Sequence, residues 1–164
     1  MLKKIFGVTL LLASISVSAF AAIPRDQMHI GGLKPGMTMQ QVAAIYGMPQ
    51  KVNSPSKGAI GLYDIAGGLI SGRIDSNTNT FAEYCINEEK PGADRIATTG
   101  NIHLGMTVAE VERVLGKPDI MGGYGQNLSC FYYSVEHGVS TREHDSLNLF
   151  FRNGRLSSFS INMV

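Results

Sequence analysis

One fifteen-residue pattern occurs twice in this chain, and its repetition constrains the fold more than any other feature. GMTMQQVAAIYGMPQ occupies residues 36–50, and GMTVAEVERVLGKPD occupies residues 105–119, at an offset of 69 residues without a gap. Solenoid repeats have shorter periods, of about 20 to 50 residues. The offset therefore indicates a small structural unit that the chain builds twice.

Each copy of the pattern predicts a short capped helix. Thr38 and Thr107 are the expected N-caps, and Gln41 and Glu110 follow three positions later, so both copies contain a capping box. An apolar stripe at helical spacing follows each cap, and a glycine and a proline then end the helix. These ending residues are Gly47, Pro49, Gly116 and Pro118. Because isolated helices this short are marginal, both must be stabilised by packing against the rest of the fold.

After each helix the apolar period changes from about 3.6 to 2, which predicts three strands in each half of the chain. The predicted strands are 60–65, 69–75, 80–86, 130–135, 146–151 and 155–163. Asn153-Gly154 predicts a hairpin turn, and residues 76–79 predict another turn. The glycine-rich segment 121–127 lacks the lysine of a phosphate loop and is expected to be a flexible loop.

The predicted fold class is therefore α+β, with two tandem repeats that each contain a helix and an antiparallel three-stranded sheet. The first repeat spans residues 22–91, including a polar linker, and the second spans residues 92–164. Sheets of this kind cover one face with helices and leave the other face open.

Alternation along the strands predicts which side chains occupy the open faces. Phe131 and Tyr133 are expected to face the helices, whereas Cys85, Cys130 and Tyr132 are expected to face outward. Aromatic residues and arginine are enriched at the centres of interfaces, so the outward ones are candidates for binding a partner. These candidates are Tyr63, Arg73, Phe81, Tyr132, Phe150 and Arg152. The alternative is that they pack between the two repeats or simply coat the sheets.

The first 21 residues have the features of a signal peptide. Lys3 and Lys4 precede an apolar run at residues 5–20, and residues 19–21 form a small-residue cleavage site. The mature chain is expected to start near Ala22 and to be periplasmic or secreted, with no transmembrane segment or lipid anchor. Removing two lysines changes the formal net charge from +1 to −1, which gives no electrostatic reason to expect a nucleic-acid partner.

The chain contains two cysteines, Cys85 and Cys130. In an exported protein an even number of cysteines is typical of disulfides, and the predicted outward position of both favours a bridge between the repeats. The bridge would close a loop of about 46 residues, worth about 4 kcal/mol in the chain-entropy description.

Catalytic and metal-binding motifs are not found. HExxH, GxSxG and P-loop patterns do not occur, so neither an enzyme nor a cofactor nor a metal is expected. Residues 136–145, EHGVSTREHD, are rich in acidic residues and histidine. We interpret them as a solvated hairpin tip, the alternative being a loop that responds to a metal ion or to protons.

The repeated pattern L-x-x-G-M-T-x-x-x-V-x-x-x-x-G-x-P, at Leu33–Pro49 and, with Ile for Leu, at Ile102–Pro118, resembles the SmpA/OmlA (BamE-type) family of small envelope domains. The tandem arrangement looks more like that of the β-lactamase inhibitory proteins. The resemblance implies a non-catalytic protein-binding module of the bacterial cell envelope, either an accessory of outer-membrane protein assembly or an inhibitor. Its partner would be another envelope protein. An apolar cleft could instead make the chain a periplasmic carrier of a lipid or another small ligand.

Overall fold

The computed structural model describes residues 23–52, 61–136, 139–140 and 145–163. Within these ranges, no helix is both long enough and apolar enough to cross a membrane. The predicted signal peptide at residues 1–21 lies outside the described residues and stays a prediction.

Two capped helices form where the repeated pattern predicts them. Helix α1 spans Met39–Tyr46, and helix α2 spans Val108–Leu115. The Gln41 backbone N–H donates to the Thr38 hydroxyl, and the Thr38 N–H donates to the Gln41 side chain at 2.7 Å. Glu110 and Thr107 make the same two bonds at the start of α2. Both predicted capping boxes are therefore confirmed.

Ten strands accompany the helices in the part of the chain that the structure describes. They are β1 (Ile23–Pro24), β2 (Gln50–Lys51), β3 (Leu62–Ile65), β4 (Ile70–Asp75), β5 (Thr80–Ile86), β6 (Ile120–Tyr124), β7 (Asn127–Glu136), β8 (Val139–Ser140), β9 (Ser146–Arg152) and β10 (Arg155–Asn162). The six predicted strands correspond to β3, β4, β5, β7, β9 and β10. The predicted turn at Asn153-Gly154 joins β9 to β10, and both of its residues have positive φ.

The segment predicted as a flexible loop, residues 121–127, is instead largely strand. It contains most of β6, which pairs with the start of β7 so that Tyr124 lies opposite Asn127. Gly125 is in the two-residue turn between them. Its φ of 62° is a conformation that residues other than glycine rarely adopt. The loop prediction was therefore wrong, because glycines at a hairpin tip and within an edge strand resemble a flexible linker in sequence.

All ten strands form one mixed sheet, so the predicted fold class of two tandem helix-plus-antiparallel-three-stranded-sheet repeats is wrong. The strand order is β1-β7-β9-β10-β5-β4-β3-β2, and β6 and β8 also pair with β7. Strands β5 and β10 pair directly, with Cys85 opposite Ser160, and β1 runs parallel to β7. In two separate units β5 and β10 would both be edge strands with unpaired backbone groups, and their pairing satisfies these groups.

Both helices attach to the same face of this sheet through equivalent backbone bonds. Before α1, the Gly36 N–H donates to the Phe81 carbonyl at 2.7 Å, and the Phe81 N–H donates to the Met37 carbonyl at 2.8 Å. Residues 105–106 bond to Leu156 in the same way before α2. Val42 of α1 and Val111 of α2 are buried in a single apolar core beneath the sheet. The opposite side of the sheet carries no helix in the described part of the chain, and we call it the open face.

Candidate protein-binding face

Strand register determines which side chains reach the open face. Across the middle of the sheet, Ile120 lies opposite Phe131, Phe131 opposite Asn148, Asn148 opposite Ser160, and Ser160 opposite Cys85. The residues of the central strands that share this face include Ser71, Arg73, Glu83, Cys85, Ser129, Phe131, Tyr133, Asn148, Phe150, Arg152, Ser158 and Ser160. The face is therefore polar at its centre and apolar toward β6.

Three of the six predicted partner-binding residues lie on the open face. Arg73 and Arg152 are exposed there, and Phe150 keeps 37% of its surface accessible. Arg73 forms an ion pair with Glu83, in which its Nε lies 2.8 Å from Oε2. Arg73 lies in β4, whereas Phe150 and Arg152 lie in β9, so strands β5 and β10 separate the two groups.

The other three predicted residues, Tyr63, Phe81 and Tyr132, lie on the helix-covered face instead. Phe81 is fully buried because a β-bulge between β4 and β5 shifts the alternation by one residue. Tyr63 packs edge-on against Phe81, with their ring centroids 5.7 Å apart. Tyr132 is fully buried, and its hydroxyl donates to the Gly116 carbonyl at the end of α2 over 3.2 Å. Phe81 and Tyr132 cannot contact a partner without disruption of the core, and Tyr63 is half-buried on the face that the helices cover.

The exposed apolar part of the open face is small and well defined. Phe131 and Phe150 pack edge to face, with ring centroids 6.4 Å apart and an interplanar angle of 85°. Ile120 lies directly across from Phe131 and is 51% exposed. We call Ile120, Phe131 and Phe150 the apolar patch. Ile120 was missed at the sequence level because it directly precedes the segment interpreted as a loop, residues 121–127, although a β-branched residue at this position is compatible with an edge strand.

A shallow cleft adjoins the apolar patch. Its volume is about 320 Å³, near the lower end of the range for small-molecule sites, and Phe150, Ser129 and Arg152 are among its lining residues. Glu88 also lines the cleft, and its carboxylate accepts a hydrogen bond from the Ser158 hydroxyl at 3.3 Å. An aromatic ring with hydroxyl, carboxylate and guanidinium groups around it provides both apolar contact and hydrogen-bond partners.

The polar centre of the open face is partly buried by its neighbours. Asn148 and Ser160 are 6% and 7% exposed, and the Asn148 Nδ2 donates to the Ser160 hydroxyl at 3.3 Å. The Asn148 Oδ1 has no hydrogen-bond partner in the described part of the protein. Burial, together with the charges of Glu88 and Glu83, raises the pKa of the Cys85 thiol. This cysteine is therefore a protonated thiol at neutral pH and a weak nucleophile.

The predicted disulfide is not formed in this structure. Cys85 and Cys130 are both free thiols, and they lie on opposite faces of the sheet with β9 and β10 between their strands. Cys130 lies opposite Leu149 on the helix-covered face and is 1% exposed. Burial, and after it the charge of Glu112, raises the pKa of Cys130 to about 11. The prediction depended on an outward position of Cys130, and β7 has the reverse orientation.

The acidic and histidine-rich segment lies mostly outside the described residues. Of its candidate side chains only Asp145 is described, and it is buried instead of being part of a solvated tip. Its carboxylate accepts hydrogen bonds from the Arg25 Nε at 3.0 Å and from the second guanidinium nitrogen at 3.3 Å. This bidentate pair joins the segment after β1 to the start of β9. Among the described residues, no group of three His, Cys, Asp or Glu side chains could hold a metal ion.

The comparisons with known proteins do not identify a relative. No protein family, no curated protein and no solved structure matches this chain.

Proposed function

We propose that this chain is an exported, non-catalytic protein-binding module of a bacterial cell envelope, and that it binds its partner on the open face. The observation that carries the proposal is the apolar patch, where Phe150 and Ile120 are exposed on a sheet face without a covering helix. Exposed aromatic and aliphatic side chains beside an arginine, Arg152 here, are typical of the centre of a protein interface.

The organisation of the face supports a protein partner. The apolar patch is bordered by hydroxyl groups and by Arg152 and Glu88, so that an apolar centre is surrounded by groups that can form hydrogen bonds. Protein interfaces commonly combine an apolar centre with a polar rim. The sheet beneath is continuous across ten strands, and such a rigid platform loses little conformational entropy on binding.

The proposed envelope location is supported by the N-terminal sequence alone. Two lysines, an apolar run and a small-residue site within residues 3–21 are the features that export machinery recognises. N-terminal sequencing of the protein recovered from its host tests this part separately. A mature chain that begins near Ala22 is expected, whereas an intact N-terminus in the recovered protein would contradict export with cleavage.

The binding proposal is tested with Phe150→Ala and a matched control, Met48→Ala. Met48 is 72% exposed and lies just after α1, away from the open face, so both variants remove an exposed apolar side chain. Partners captured from envelope extract by the wild-type protein are identified by mass spectrometry, and their affinities are then measured by calorimetry.

Phe150→Ala is expected to weaken partner binding by at least about 30-fold, which corresponds to about 2 kcal/mol for an aromatic hot spot. Met48→Ala is expected to leave the affinity unchanged. Circular dichroism of both variants shows whether the fold is retained. If Phe150→Ala binds the captured partner as tightly as the wild type, the open face is not the binding surface.

A small-ligand carrier is the second candidate function. The supporting observation is a cleft of about 480 Å³, lined by Pro24, Arg25, Lys34, Val135 and Asp145 among others. It combines apolar walls with the Arg25–Asp145 ion pair and with Asp26 and Lys34, which suit a small ligand that has both an apolar part and polar groups. Native mass spectrometry of the protein purified from its host distinguishes the candidates, because a carrier is expected to retain a ligand and an apo mass would contradict it.

A further inference from the structure

Strand β6 is an edge strand with unusual exposure. It pairs with β7 on one side, and no described strand pairs with its other side. All five of its residues are exposed, with Ile120 at 51%, Met121 at 46% and Tyr124 at 93%. Its outer backbone N–H and C=O groups are therefore available to pair with another strand, and apolar side chains flank them.

The other terminal strands of the sheet have features that discourage such pairing. Strand β2, at one end, has only two residues and contains Lys51; strand β1, at the other, has two residues and contains Pro24. Short length, lysine and proline are the devices by which proteins protect sheet edges. Strand β6 has five residues and contains neither a charge nor a proline.

We propose that β6 pairs with β6 of a second copy of this chain, antiparallel, around a two-fold axis at Gly122. The argument is that the strand is complementary to itself in this register. Ile120 of one copy lies opposite Tyr124 of the other copy, and Met121 of one lies opposite Gly123 of the other. The two Gly122 residues, one from each copy, lie opposite each other. Each large side chain thus meets either a glycine or a favourable aromatic–β-branched partner, and no like charges meet.

The geometry of this pairing has a consequence for the open face. Antiparallel edge pairing with a two-fold axis perpendicular to the sheet makes the two sheets continuous and keeps their open faces on the same side. Ile120 of each copy would pack beside Tyr124 of the other, which gives these exposed side chains a neighbour while their outer surfaces stay on the open face. The inference goes beyond the proposed function and does not depend on it, because β6 can pair whether or not the open face binds another protein.

Gly122 offers a substitution that disturbs the pairing without disturbing the fold. A Cβ atom built at Gly122 meets no heavy atom within 4 Å, and its φ is not in the positive region. Lysine therefore fits at this position in the single chain. In the dimer two lysines would lie opposite each other at the axis, where like charges are destabilising. Asn77→Lys, in the exposed turn between β4 and β5, adds the same charge far from β6.

The first measurement is sedimentation velocity of the purified protein from about 10 µM to about 1 mM, because five paired residues form less than a standard interface and weak association is expected. The wild type and Asn77→Lys are expected to shift from monomer to dimer over this range, and Gly122→Lys is expected to stay monomeric. A wild type that is monomeric throughout, or a Gly122→Lys variant that dimerises like the wild type, would overturn the proposal.

The second measurement detects the register directly by cysteine cross-linking. Paired residues of antiparallel strands have Cα atoms about 4.5 to 5.5 Å apart, within the range that a disulfide spans. Under mild oxidation Gly122→Cys is therefore expected to form a covalent dimer much faster than Asn77→Cys or the wild type. Equal cross-linking of the two cysteine variants would contradict pairing at Gly122, even if the protein dimerises through another surface.

Discussion

Replacement of two adjacent tyrosines gives a direct test of the face assignment in β7. Tyr132 is fully buried on the helix-covered face, and Tyr133 is half-buried on the open face. We expect Tyr132→Ala to destabilise the protein far more than Tyr133→Ala. The two variants remove the same side chain from neighbouring positions of one strand, so each serves as a control for the other.

The expected magnitude follows from the burial of Tyr132. A buried aromatic side chain removes roughly 200 Å² from water, which at about 25 cal/mol per Å² corresponds to about 5 kcal/mol. This value is an upper estimate because the unfolded chain already buries part of that surface. Tyr132→Ala should therefore lower the free energy of unfolding by about 3 to 5 kcal/mol, whereas about 1 kcal/mol is typical of a half-buried position such as Tyr133.

Urea unfolding followed by far-ultraviolet circular dichroism measures this difference, since the chain contains no tryptophan for a fluorescence probe. If Tyr132→Ala is too unstable to purify, Tyr132→Phe retains the ring and removes only the hydrogen bond to the Gly116 carbonyl, at a cost of about 1 kcal/mol. A Tyr133→Ala variant that is destabilised as much as Tyr132→Ala would refute the assignment of faces in β7.

Three further predictions concern the caps and the thiols. Thr38→Ala and Thr107→Ala should each lower the free energy of unfolding by about 1 kcal/mol in urea, through loss of an N-cap; unchanged stability would contradict the capping boxes. Hydrogen bonds from the Thr107 N–H and then its hydroxyl lower the pKa of Glu110, so its stabilising effect is present above the usual value of 4.5 and is lost as pH falls through the lowered pKa. Glu110→Gln should therefore reduce the dependence of unfolding free energy on acidic pH, and an unchanged acid profile would refute this origin. Thiol labelling without reductant, read as intact mass, should modify both Cys85 and Cys130 in the denatured protein and Cys85 faster in the native one; two unreactive thiols after denaturation would indicate a disulfide instead.

The local elements of this fold could be predicted from the sequence, whereas their lateral arrangement could not. A capping box requires residues three positions apart, such as Thr38 and Gln41, and the hairpin at Asn153-Gly154 requires two adjacent residues, so a short window contains the whole signal. The pairing of β5 with β10 joins residues about 75 positions apart, such as Cys85 and Ser160. No local pattern specifies that contact, and two separate sheets with two free edges agree equally well with the same alternation.

In the candidate site, too, a local sequence pattern did not specify the position of every side chain. Period-2 alternation determines which residues share a face, but it identifies the buried face only when one set is clearly more apolar. In β7 the two sets both contain aromatic residues, with Phe131 and Tyr133 in one and Tyr132 beside Cys130 in the other. The neighbouring strand decides between them, because Cys130 lies opposite the buried Leu149 and must share its face.

The same reasoning explains why the exposed strand β6 was missing from the predicted site. Strand β6 contains two glycines, which lower the apparent strand propensity, and its pairing with β7 supplies the order that its own sequence does not indicate. Ile120 becomes part of the apolar patch only through its position opposite Phe131. An edge strand of this kind has few side chains that the core requires, so its apolar residues are available for contacts outside the chain. The binding properties proposed for this protein therefore arise where the fold requires least of the sequence, at the open face and at the β6 edge.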